Sequence, residues 1–280
     1  MLRYRIISFP ILLALLCAVF FWKYGVLLFI FGAAIVVALT LFEAGKLCNH
    51  FHLDNDPLFT AEIGGIAAFL TYLSFGFSGH TDLFSLMLVG ILLGSVLTVW
   101  GTLLFCKDEM KFRRIFTSIA LVMILGFPYI LFGCFYFSSL PYLLLYLMLT
   151  AKAMDTGGYI FGMLTSMLPG GNHKIAPSIS PKKSWEGFFG GMACSVLVSF
   201  IFYYFKPLFP WFVYLAGGLL LALLSFAGDL TESALKRRAN VKDSAAWIPG
   251  MGGVFDVVDS FLYIGPAVGL IALINLLLSL

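Results

Sequence analysis

Long apolar runs broken by short polar stretches set the pattern of this chain. Runs of about 17–25 residues recur, the length an α-helix needs to cross the hydrocarbon core of a bilayer. They predict about nine transmembrane helices. These run over Ile6–Phe21, Tyr24–Ala44, Leu58–Ser78, Leu83–Phe105, Ile115–Phe137, Leu140–Met163, Phe188–Phe205, Trp211–Asp229 and Phe255–Leu280. The expected fold class is therefore an all-α polytopic integral membrane protein. Pro10 and Pro128 fall inside runs, where a local kink is the ordinary meaning.

Composition agrees with the pattern. The chain is 61% hydrophobic and only 11% charged, with a mean hydropathy of +1.01, which excludes an ordinary soluble domain. A net charge of +3 gives a nucleic-acid partner no support. The five cysteines, Cys17, Cys48, Cys106, Cys134 and Cys194, are scattered without CxxC spacing and read as small hydrophobes. Arg3 and Arg5 before an apolar run resemble a signal peptide, but no small-residue cleavage site follows, so a retained first helix is expected.

The breaks between runs alternate in charge. Arg3/Arg5, Lys46, Lys107/Lys111/Arg113/Arg114, Lys174/Lys182/Lys183 and Lys236/Arg237/Arg238/Lys242 fall on one side, with little more than Lys23 and Lys206 on the other. The positive-inside rule then puts the N-terminus and the polar motifs in the cytoplasm and the C-terminus opposite. Lacking a targeting extension or soluble domain, the chain is expected in a bacterial inner membrane. Residues 1–150 read as scaffold helices and residues 151–280 as the catalytic region of one membrane domain. His50, His52, Asp54 and Asp56 read as a solvated loop, because nothing fixes the geometry of a ligand set there.

Three polar constellations stand out. Lys152 and Asp155, three residues apart on the sixth run, share a helix face and can pair. Such a pair inside a span is a functional hypothesis by default, with a structural ion pair as the alternative. Gly157 and Gly158 permit close approach of a helix or a ligand. The loop Pro169–Gly187 offers Ser178, Ser180, Lys182, Lys183 and Ser184, a set suited to phosphate oxygens. Helix capping by Ser184 and topogenic charge explain the same residues. Third, Asp229, Glu232, Ser233 and Lys236 follow i, i+3, i+4, i+7. Asp256, Asp259 and Ser260 repeat i, i+3, i+4 at the start of the ninth run. Between them Lys242-Asp243 and the Pro249–Gly253 turn would bring two acidic helix ends together. Carboxylates of this kind suit Mg²⁺ with substrate phosphates; interfacial salt bridging is the plainer reading.

The segment Ser233–Asp259 closely resembles the signature of the phosphatidate cytidylyltransferase (CDP-diacylglycerol synthase) family. Ser233, Lys236, Arg237, Lys242, Asp243, Pro249, Gly252, Gly253, Asp256 and Asp259 occupy the corresponding places, and DTGGYIFG and HKIAPSISPKKSWEG look like family segments too. The match covers most of residues 150–260. Two positions depart: Met251 stands where the family turn has histidine, and Val257 where it has arginine.

The resemblance implies transfer of a cytidylyl group from CTP to phosphatidic acid, giving CDP-diacylglycerol and pyrophosphate, with membrane lipid as the setting. It implies Mg²⁺, as two ions, held by Asp229 and Asp256 with Asp259 and Glu232 beside them. Lys236, Arg237 and Lys242 would neutralise the triphosphate, and Ser178, Ser180, Lys182 and Lys183 would orient phosphate. Ser233, Asp243 and Asp155 complete the substrate side. Alternatives are a related lipid kinase, an isoprenoid-lipid cytidylyltransferase, a catalytically silent scaffold and an ion-coupled transporter. Transporters place such residues at the midplane between related halves, whereas these halves look unrelated. Glycine- and phenylalanine-rich stripes could support a homodimer or simply face lipid.

Overall fold

The computed structural model describes residues 2–51, 53–78, 109–137 and 141–269. The predicted span Leu83–Phe105, Lys107 and His52 lie outside them. The helices are α1 Leu2–Phe21, α2 Gly25–Asn49, α3 Pro57–Ser78, α4 Glu109–Leu121, α5 Phe127–Cys134, α6 Pro141–Ser166, α7 Trp185–Phe205, α8 Trp211–Arg238 and the short α9 Val254–Val258. Five helical stretches among the described residues are long and apolar enough to cross a membrane: Gly25–Asn49, Pro57–Gly76, Met110–Phe137, Trp185–Phe205 and Trp211–Arg238. Large apolar side chains such as Phe189, Leu197, Tyr204, Phe212 and Leu220 point outward from α7 and α8, as a lipid-facing surface requires.

Two departures from the predicted pattern have local causes. Val122–Gly126 is a π-helical turn in which the Phe127 N–H reaches back to the Val122 carbonyl. Pro128, which has no N–H to give, follows immediately, so the ladder widens just ahead of it. The ninth run does not begin as one continuous helix. It stops at Val258, tightens into a 3₁₀ turn at Asp259–Phe261, and resumes at residues 264–269. The Asp259 carboxylate accepts from the next N–H, that of Ser260, at 2.6 Å. Such local side-chain bonds compete with the helical ladder.

The chain divides into two compact units. Met1–Ser139 with Asp243–Val258 forms one, and Leu140–Lys242 with Asp259–Leu280 the other. In the first, Ile30, Leu41, Tyr72 and Ile130 are fully buried, and the Phe29 ring stacks on Tyr136 at 4.1 Å. The Asp56 carboxylate accepts from the Leu58 and Phe59 N–H groups and so caps α3, while Asp54 lies 3.9 Å from Arg113. Asp56 thus has a structural task, while Asp54 stays at the solvated surface.

In the second unit α6 and α7 pack backbone against backbone. A Cβ on Gly157 would meet the Cys194 sulfur at 2.7 Å, and one on Gly187 the Gly158 carbonyl at 2.7 Å. The glycines therefore serve a helix neighbour, the usual role of small residues between membrane helices. Buried hydroxyls line these seams: Ser195 donates to the Thr150 carbonyl at 2.8 Å and Ser225 to that of Ala151 at 3.2 Å. The segment Pro169–Gly187 is an antiparallel hairpin of β1 Lys174–Ala176 and β2 Ser180–Ser184. Ser184 then caps α7, accepting from the Gly187 N–H at 3.2 Å.

Candidate functional site

The C-terminal turns of α8 carry the densest chemistry of the second unit. Glu232 is wholly buried and pairs with Lys236, one turn on, at 2.6 Å. Asp229 sits a turn earlier and meets Lys183 of the hairpin at 2.8 Å. The Lys183 ammonium also lies over the Phe226 ring, 4.5 Å from its centroid. Ser233 Oγ is 3.4 Å from Asp229. Arg237 donates through Nε to the Ile179 carbonyl at 3.2 Å, which ties the hairpin tip to α8.

A second group of charges adjoins through Asp259. From α6, Lys152 reaches Asp155 at 2.9 Å and Asp259 at 3.9 Å, and donates to Ser260 Oγ at 2.6 Å. The Ser260 hydroxyl stands 2.7 Å from Asp155 and 3.0 Å from Asp259 and gives its single proton to one of them. Ser225 Oγ is 3.4 Å from the other Asp155 oxygen.

Three of these acids converge. One carboxylate oxygen each from Asp229, Glu232 and Asp259 lies within 4.8 Å of the others. Like charges at that spacing repel unless cations balance them. Asp155, Asp229, Glu232 and Asp259 face Lys152, Lys183 and Lys236, four carboxylates to three ammonium groups. The all-oxygen donor set fits a hard divalent cation. Asp229, Glu232 and Asp259 are the residues that would hold it.

The other predicted residues are placed differently. Ser178 and Lys182 are exposed on the hairpin, Ser180 is half-buried, and Lys242 and Asp243 are exposed after α8. Asp256 belongs to the first unit and is not one of the three convergent acids. Its carboxylate accepts from the Gly253 N–H at 2.7 Å and from the Ser244 N–H at 3.1 Å. The Pro249–Gly253 stretch is a tight turn closed by the Ile248–Gly252 bridge. Gly250 and Gly252 have φ of 80° and 99° there, values that side chains with a Cβ rarely adopt. Met251 rides on that turn, and Val257 is half-buried in α9.

Sequence reasoning passed over two residues. Ser225 was findable by extending the Asp229 face back one turn, since 225 and 229 are i, i+4. Glu43 carried a plain signal, a lone acid within the apolar run of α2. It accepts from the Val254 and Phe255 N–H groups and from Ser244.

Apolar helices of spanning length, with carboxylates and lysines interleaved among them, define a helical membrane protein with a cluster of three acids that could hold a metal ion. Residues 3–275 match the cytidylyltransferase family, and the chain belongs to that family. Among similar proteins is the phosphatidate cytidylyltransferase of Staphylococcus epidermidis, 41% identical over 130 residues, 46% of this chain and 48% of that protein. The Staphylococcus haemolyticus protein of the same name is 38% identical over 167 residues, 59% of this chain and 62% of the relative. The Staphylococcus aureus one is 41% identical over 130 residues, covering 46% and 48%. The chain thus spans about half to three fifths of the length of these curated relatives.

Proposed function

We propose that this protein transfers a cytidylyl group from CTP to phosphatidic acid. The observation that carries the reading is the convergence of Asp229, Glu232 and Asp259, interleaved with Lys183 and Lys236, in a chain of the cytidylyltransferase family. A phosphate oxygen of phosphatidate attacks the α-phosphorus of CTP. The new P–O bond forms as the bond to the bridging oxygen breaks, and pyrophosphate leaves with that electron pair. Such reactions need positioning and charge stabilisation rather than a protein nucleophile.

Each residue has a task in this reading. Lys183 and Lys236 turn from carboxylate to phosphate when substrate arrives, joined by the exposed Lys182, Arg237 and Lys242. Ser178, Ser180 and Ser233 supply hydroxyls, and Asp155 orients Lys152. Asp256 acts as a positioning residue through the turn it holds. Mg²⁺, as two ions, supplies neutralisation of phosphate charge when bound. Residues 151–280 carry the chemistry and residues 1–150 support it. The chain crosses a bacterial inner membrane about nine times, N-terminus in and C-terminus out, so that CTP reaches the site from the cytoplasm.

The test uses purified protein in lipid nanodiscs with labelled CTP and phosphatidate. Mg²⁺-dependent CDP-diacylglycerol and pyrophosphate are expected; release of a nucleoside diphosphate would point to a kinase. Wild-type protein that makes no product with any divalent ion or acyl-chain length would overturn the reading.

A further inference from the structure

Glu43 is an acidic residue in the C-terminal third of the apolar helix α2, wholly buried. Burying a carboxylate is costly unless hydrogen bonds replace its water. Here all the described bonds come from one distant stretch of chain. Oε1 accepts from the Val254 N–H at 2.9 Å, and Oε2 from the Phe255 N–H at 2.9 Å and from Ser244 Oγ at 2.5 Å. The two amides open α9, where the first N–H groups have no partner within the helix. Gly253 completes the fit, because a Cβ there would run into Glu43 Oε2 and Ser244 Oγ. Asp256 pins the same stretch from within through Ser244 and Gly253.

The held stretch is the Asp243–Val258 part of the first unit. Along the chain it follows α8, which bears Asp229 and Glu232, and it runs directly into Asp259. Any slack between Ser244 and Val258 is therefore passed to Asp259 by covalent connection. We propose that Glu43 is a positioning residue that fixes this turn in the shape needed for transfer, an inference that rests on the cytidylyltransferase reading above. It touches no reacting atom. Its carboxylate does what two backbone amides and a hydroxyl could not do alone, which is to hold the turn against a rigid helix.

The experiment compares wild type, Glu43→Ala, Glu43→Gln and Ser244→Ala, each full-length in nanodiscs. Hydrogen exchange is read for peptides from 243–258 and from Pro57–Ser78, and kcat and KM for CTP are measured. Glu43→Ala should speed exchange in 243–258 and leave Pro57–Ser78 unchanged. It should also lower kcat by about tenfold and raise KM for CTP several-fold, a shift that mere loss of folded protein does not produce. Glu43→Gln keeps one acceptor oxygen and should fall between, with Ser244→Ala milder still. Unchanged exchange in 243–258, equal acceleration in Pro57–Ser78, or a loosened turn with wild-type kcat and KM would each overturn the proposal. If the wild type makes no CDP-diacylglycerol, the functional reading fails, and exchange alone then decides whether Glu43 holds the turn.

Discussion

Among the described residues, two groups of carboxylates are held inside the protein by different means. Around Glu43 the partners are the Val254 and Phe255 amides and the Ser244 hydroxyl. Around Glu232 and Asp229 they are the ammonium groups of Lys236 and Lys183. Backbone amides are fixed once the turn has formed, so the Glu43 arrangement cannot dissolve without unfolding it. A lysine on a four-carbon stem can leave its carboxylate for a phosphate at little cost in backbone order. The first set is fixed by the fold, whereas the second fits the partner exchange proposed for substrate phosphate.

The comparison breaks most visibly at the exchangeable set. Asp229→Asn or Asp259→Asn should lower CDP-diacylglycerol formation by about a hundredfold or more, because in the proposed reaction each removes a carboxylate that holds the divalent cation neutralising the phosphates. An activity assay in nanodiscs measures it, and near-wild-type turnover would reduce these acids to structural ion pairs.

Lys152→Met should cost about 1–3 kcal/mol of stability, since it strips the ammonium shared by Asp155 and Asp259. Thermal unfolding in detergent would show it. Asp155→Asn added to Lys152→Met should recover part of the loss, as a like-charge repulsion is removed. An additive double variant would mean that the two side chains do not act as a pair.

At the fixed set, Gly252→Ala should cost about 1–2 kcal/mol, because its φ of 99° strains any residue with a Cβ. Its effect should appear as faster exchange in 243–258. The smallest change is expected at Ser184→Ala, which removes one cap from α7 and about 1 kcal/mol. A midpoint shift from it as large as that from Lys152→Met would show that the hairpin depends on more than capping.

Much of the candidate site could be read from the chain because helical spacing is local. The pairing of Lys152 with Asp155 is an i, i+3 relation, and that of Glu232 with Lys236 an i, i+4 relation. The capping role of Ser184 was one of two readings its position allowed, and its bond to the Gly187 N–H makes that one good. What was not legible depends on chain segments far apart. The pairing of Lys183 with Asp229 requires the hairpin to be tied back on α8. The choice between Asp256 and Asp259 depends on where the helix breaks after Val258. Periodicity alone ran it straight on and gave both acids one face.

By itself, the sequence determined the apolar helices of spanning length, the faces along α6 and α8, and the family, because each is written in spacing or in a contiguous motif. Only the tertiary structure decided which acids converge, which lysines balance them and what Glu43 holds. Those outcomes join residues up to 212 positions apart. No local periodicity encodes them, since a buried carboxylate takes whichever amide or ammonium the packed helices bring within reach.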